Sequence, residues 1–233
     1  MSFLNDNSNP FGLSVGDLMA ALLLTFVLLL MATLLKLQKE RENVVEIAKE
    51  YLETKQKIHE ALCHEFRRDT ARWDVTIDSN LVVRFKSPNV KFDSESDILK
   101  SRFKIILADF FPRYIDVLSN DEFKSKITEI RIEGHTNSKS TLKPEQRAYM
   151  NNMFLSQNRT RTTLRYCLTQ ILDSKNYDWT RKLLTANGLS YSKPILNNNG
   201  TEDFESSRRV EFRIRTNAEE KIEEIMKQNI SFQ

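Results

Sequence analysis

Along the chain, polar residues give way once to an unbroken apolar block. Residues 18–35 (LMAALLLTFVLLLMATLL) contain no charge, Gly or Pro. At about 1.5 Å per residue, such a block forms roughly 27 Å of helix, close to the hydrocarbon thickness of a bilayer. The pattern therefore predicts one transmembrane helix over residues 15–36, preceded by a short tail over 1–14. That tail lacks Lys and Arg, and no small-x-small cleavage site precedes the charged KLQKERE stretch. The expectation is thus a retained anchor, neither a cleaved leader nor a lipoprotein anchor.

Residues 37–72 are rich in Glu, Lys and Gln with no Gly or Pro, which predicts a long connecting helix. Leu37, Val44, Ala48, Tyr51, Ile58 and Leu62 recur at spacings of three, four and seven, interrupted by Arg41 and Lys55. This stripe reads as a weak coiled-coil seam, and its continuation from a membrane helix favours parallel self-association over the alternative of a solvated helix lying on the following domain.

From Trp73 the period changes. Val75 and Ile77, a Ser79-Asn80 turn, then Leu81, Val83 and Phe85 predict a β-hairpin. A helix follows from the Asp93-Ser94 region, carrying Ile98, Leu99, Phe103, Ile106, Leu107, Phe110 and Phe111 until Pro112 disturbs it. Ile127, Ile130 and Ile132 begin a strand closed by Gly134. A second helix is expected from about Leu155 to Leu172, burying Leu164, Leu168, Ile171 and Leu172. Leu183 to Ala186 reads as a short strand, Val210, Phe212 and Ile214 as the last one, and residues 217–233 as a polar helical tail. Strands alternating with helices, plus a hairpin, predict an α/β (α+β) two-layer sandwich over 73–216.

Composition narrows the function classes. Of 233 residues, 35 are Lys or Arg and 32 Asp or Glu, a net +3 that implies no nucleic-acid surface. Two Cys are too few for a disulfide scaffold. Cys63 and Cys167 both follow the apolar block, so they share a compartment; a disulfide and two buried thiols both fit. His59 with Cys63 has half-zinc spacing, but no second half is apparent, so no metal is expected. Phosphate loops, nucleophile elbows and paired catalytic acids are missing from the sequence, and the chain is read as non-enzymatic with no bound cofactor.

Asp17 stands at the head of the apolar block. It fits either a helix cap with Ser14 or a membrane-embedded carboxylate of the kind that persists where an ion or proton binds. Thr25 and Thr33, eight and sixteen residues on, are candidates to face a pore on the same side. Lys36, Lys39 and Arg41 follow the block closely, which by the positive-inside rule would place the C-terminal part in the cytoplasm.

Residues 130–137 (IRIEGHTN), 152–159 (NMFLSQNR), 186–188 (ANG) with Pro194, and 207–214 (SRRVEFRI) resemble, in order and spacing, the OmpA-like peptidoglycan-binding domain. Phe92, Ser94 and Leu99 resemble the approach to that family's first helix. Joined to a span led by an acid, the whole resembles the MotB group of ion-driven stator subunits. The short tail and residues 16–24 (GDLMAALLL) are most similar to the B subunits of Zorya anti-phage systems, with a flagellar stator subunit and a passive tether from membrane to wall as alternatives.

The resemblance implies a wall site at a strand end and the helix after it. Arg159 matches the arginine that holds a peptide-stem carboxylate, Thr136 and Asn152 match polar contacts, Leu155 the apolar wall, and Arg209 the second arginine. Asn137 departs from the family's Asp, keeping an acceptor but losing the charge. His135 is read as structural. Parallel self-association of the connecting helix predicts a homodimer, while the resemblance further implies a polytopic MotA-like (ZorA-like) membrane partner, a transported proton or sodium ion, and an inner-membrane protein with a cytoplasmic N-terminus. It puts the C-terminal domain in the periplasm, against the charge rule.

Overall fold

The computed structural model describes residues 10–86, 92–93, 96–139 and 144–217, with side chains from residue 15 onward. Helix α1 runs Pro10–Glu65 and contains the apolar block, whose side chains are exposed throughout. Among the described residues it is the one helix long and apolar enough to cross a membrane. The chain divides into two compact units, one ending at Ala48 and the other beginning at Lys49.

The second unit continues through α2 (Thr70–Trp73), β1 (Val75–Asp78), β2 (Val82–Phe85), α3 (Ser101–Leu118), α4 (Asp121–Lys124), β3 (Ile127–Gly134), α5 (Glu145–Thr169), α6 (Tyr177–Leu183), β4 (Leu184–Gly188), α7 (Phe204–Ser207) and β5 (Val210–Thr216). The five strands form one sheet in the order β1-β2-β5-β3-β4. Only β3 and β4 run parallel, which their helical crossover permits; the remaining pairs are antiparallel.

Alternation decides which side chains enter the core. Val83, Phe85, Ile130, Ile132, Phe212 and Ile214 face inward and pack on Phe103, Leu107, Phe110, Phe111 and Tyr114 of α3. Phe110 is the hub, with ring centroids 5.2 Å from Phe85 and Phe212 and 5.0 Å from Tyr114. The other face of the same strands carries Arg84, Glu129, Arg131, Glu133, Glu211, Arg213 and Arg215. The two-layer sandwich is as expected.

Several boundaries differ from the sequence reading. Ile58, Leu62 and Phe66 are fully buried in this core, so the domain begins well before Trp73. The stripe that suggested a coiled-coil seam is, at Ile58 and Leu62, the face that α1 turns to its own domain. Helix α3 starts at Ser101, because Leu99 is extended and bridges Phe92; Ile98 stays exposed. Pro112 does not end it, since the following turns bury Tyr114, Ile115 and Leu118. Helix α5 begins ten residues earlier than apolar spacing suggests, and Leu172 lies beyond its end, exposed. Its buried face is made of Ala148, Ser156, Thr160, Thr163 and Cys167, which hydropathy does not flag. Leu183 closes α6 and precedes the strand. Ser94 and the expected tail helix from residue 218 lie outside the described residues.

Candidate functional site

The small residues on α5 let it approach the sheet closely. A Cβ on Gly134 would stand 2.6 Å from Thr160 Cγ2, and one on Gly188 would stand 2.3 Å from the Gln157 backbone nitrogen. Helix and strand ends are then stitched together. Ser190 N donates to Ser156 Oγ at 3.1 Å, and Thr136 N donates to the Ser190 carbonyl at 2.8 Å.

Three of the expected wall residues converge at this strand end. Thr136 is buried, and its hydroxyl has no hydrogen-bond partner. Asn137 Nδ2 donates to the Phe204 carbonyl at 3.0 Å, a bond that an aspartate could not make. Next to it, Ser138 donates through both its backbone nitrogen and its hydroxyl to the Glu202 carboxylate. Arg209 corrects the expectation. It is only 6 % exposed, and its guanidinium donates to Glu211 at 2.6 Å and to the carbonyls of Lys193 and Ser207. It holds the strand end from within and does not face a ligand.

Asn152, Leu155 and Arg159 share one face of α5 through spacings of three and four. Asn152 Nδ2 donates back to Ala148 O, and Leu155 is half-buried. Arg159 lies over the Phe92 ring, 5.0 Å from its centroid. Its Nε donates to Ser96 O at 2.8 Å and its Nη2 to Asp93 O at 2.9 Å. The arginine matched to carboxylate binding thus also clamps the loop that leads into α3.

A buried charge cluster lies beneath this end of the sheet. Glu133 of β3 is the cross-strand partner of Glu211 of β5, and His135 Nε2 lies 3.7 Å from a carboxylate oxygen of each. Arg84 and Arg209 bind Glu211, while Arg213 spans both acids and Arg131 reaches Glu133 at 3.6 Å. Burial pushes both carboxyls up, but the imidazole of His135 beside them and the surrounding arginine charges outweigh it and hold both below the ordinary glutamate range. Glu133, His135 and Glu211 offer ligand atoms within 4.8 Å of one another. The guanidiniums already balance these carboxylates, so the electrostatics do not call for a cation. Sequence reasoning kept His135 as structural and missed its partners. The period-two runs Glu129-Arg131-Glu133 and Glu211-Arg213-Arg215 carried the signal.

On α1, Asp17 is exposed, and the hydroxyls of Thr25 and Thr33 donate to the carbonyls of Leu22 and Leu30. In a continuous α-helix, Thr25 is turned about 80° and Thr33 about 160° from Asp17, so the three do not share one side. Cys63 and Cys167 are both free thiols. Burial pushes both thiols up, Cys167 more strongly, and Cys63 Sγ is 3.5 Å from His59 Nε2. The disulfide weighed from sequence is therefore not formed, with Cys167 enclosed on the core side of α5.

Comparison with known proteins extends these observations to the whole chain. It is 43 % identical over 230 residues to the Zorya protein ZorB of Escherichia coli, covering 96 % of this chain and 95 % of the relative. The Zorya protein ZorB of another Escherichia coli strain is 23 % identical over 222 residues, 90 % of this chain and 82 % of its own. Among solved structures, a MotB-like protein from Desulfovibrio vulgaris has a similar fold, with 20 % identity, a TM-score of 0.50, and coverage of 72 % of this chain and 98 % of that one. No family model matches the chain. With close to half of all positions identical along nearly the full length of both sequences, the chain belongs to the ZorB family.

Proposed function

We propose that this protein is the wall-anchored subunit of an ion-driven membrane motor acting in anti-phage defence. In this reading α1 crosses the inner membrane once with its N-terminus in the cytoplasm, and the domain from residue 49 lies in the periplasm against peptidoglycan. The chain works as a homodimer with a polytopic MotA-like partner, because one span cannot enclose a polar pathway by itself. Asp17 binds and releases a proton or sodium ion, and the change in its charge alters contacts with the partner's helices. Force then turns the partner against a dimer held fixed by the wall.

One observation carries the reading. A carboxylate stands at the head of the exposed apolar block of α1, in a member of a family whose curated relatives are named Zorya proteins. Membrane-level acids are costly, on the order of 3 kcal/mol, and persist where an ion must be handled.

The test is phage plating on cells carrying the complete native operon with wild-type, Asp17→Asn or Asp17→Glu protein at equal membrane abundance. Loss of protection in Asp17→Asn supports the ion-carrying role. Full protection by Asp17→Asn removes the motor and leaves a passive tether, with Asp17 as a cap.

A further inference from the structure

Where α1 gives way to α2, four arginines line a cleft of about 460 Å³, Arg67, Arg68, Arg72 and Arg113, together with His64, Glu65 and Asp69. That volume lies within the range of small-ligand sites. Two of the arginines are fully engaged. Arg113 donates to Glu65 at 2.6 Å, Asp69 at 2.9 Å and Asp109 at 3.0 Å, and lies over the Phe66 ring. Arg72 donates to Asp69 at 2.6 Å and Asp109 at 3.3 Å and lies over Trp73.

Arg67 and Arg68 differ from these. Both are exposed, and neither side chain has a hydrogen-bond or ion-pair partner among the described residues. Even with Asp109 counted, arginines outnumber carboxylates around the cleft four to three. The turn presenting the pair is fixed, because Phe66 is buried and its carbonyl accepts from Asp69 N at 2.9 Å and Thr70 N at 3.1 Å. Two neighbouring guanidiniums held on a rigid turn, beside an open volume and in excess over the local acids, form a receptor for an oxyanion.

We propose that this cleft is a second wall-binding site, taking the carboxylates of peptidoglycan stem peptides. The inference rests on the reading that the domain faces peptidoglycan. At the strand end, Arg209 is turned inward onto Glu211, Arg159 donates to two backbone carbonyls, and Asn137 is neutral. The cleft supplies the unpaired cations that a polyanionic wall would meet, on the opposite end of the domain's chain order from the motif-derived site.

The experiment is co-sedimentation of the full-length, detergent-solubilised protein with purified sacculi, comparing wild type, the Arg67→Ala/Arg68→Ala double variant, and Arg159→Ala. A parallel set uses sacculi whose carboxylates have been amidated. The double variant should bind native sacculi about fivefold more weakly at an unchanged melting temperature, the scale of two exposed charge contacts. On amidated sacculi its difference from wild type should vanish. Equal binding of wild type and double variant to native sacculi overturns the second site and leaves the wall reading standing. A difference that persists on amidated sacculi overturns the carboxylate assignment. If wild type fails to sediment with sacculi at all, the wall reading falls, and this inference with it.

Discussion

Glu133 and Glu211 stand directly opposite each other on neighbouring antiparallel strands, each with a side chain only 1 % exposed. Two like charges so placed would drive the strands apart. Arg84, Arg209 and Arg213 hold them from around the pair, and this makes the strand end a rigid, ionised platform.

Acid should therefore weaken the domain. The folded-state values of both carboxyls lie below the unfolded glutamate value of about 4.3, so their contribution is fully present above that pH. It is lost as pH falls through the lower folded values. Melting temperatures of the solubilised chain should hold between pH 7 and about pH 5 and drop below about pH 4. A flat profile down to pH 3 would contradict this.

Removing one acid should cost more than the pair contributes. Glu211→Ala leaves Arg209 buried without its carboxylate and Arg84 without its closest partner, and the expected loss is about 3–5 kcal/mol. Urea unfolding followed by the near-ultraviolet signal of the domain's tryptophans measures it. A loss within about 0.5 kcal/mol, typical of surface sites, would show that the cluster is not structural.

Gly188→Ala should be harmful despite its small size. Its Cβ would meet the backbone of Gln157 at 2.3 Å, and backbone cannot swing aside as a flexible side chain can. Overpacking of this kind costs roughly 1–3 kcal/mol, and the melting temperature should fall accordingly. Wild-type stability in this variant would mean that α5 and β4 are not tightly apposed.

Arg159→Ala should have two readouts. Losing the bonds to Ser96 and Asp93 should speed hydrogen exchange at residues 96–99, and sacculus binding should fall. Arg159→Lys should restore neither in full, since an ammonium cannot reproduce the planar fork. Unchanged exchange would show that the arginine does not hold the loop.

The elements read correctly from sequence are those where hydropathy alternates against a one-sided core, as in β1, β2, β3 and β5. Helix α5 was half hidden, because close approach to strands selects small residues and hydroxyls such as Ser156 and Thr160. The start of α3 was obscured because Leu99, though apolar and in phase, is used in a bridge to Phe92. At the candidate site, motif spacing located Thr136 and Asn137 at the strand end and Arg159 on the helix that follows it. It could not tell an outward arginine from an inward one, and Arg209, just ahead of β5, points inward because Glu211, two residues on, draws it there.

The burial of Ile58, Leu62 and Phe66 has a mechanical meaning. The last turns of α1 are a wedge set into the hydrophobic interior, so a pull or twist arriving along residues 49–65 loads the sheet directly. A fragment cut at Trp73 would lose that wedge and expose the pocket it fills. The domain is gripped by its own stalk.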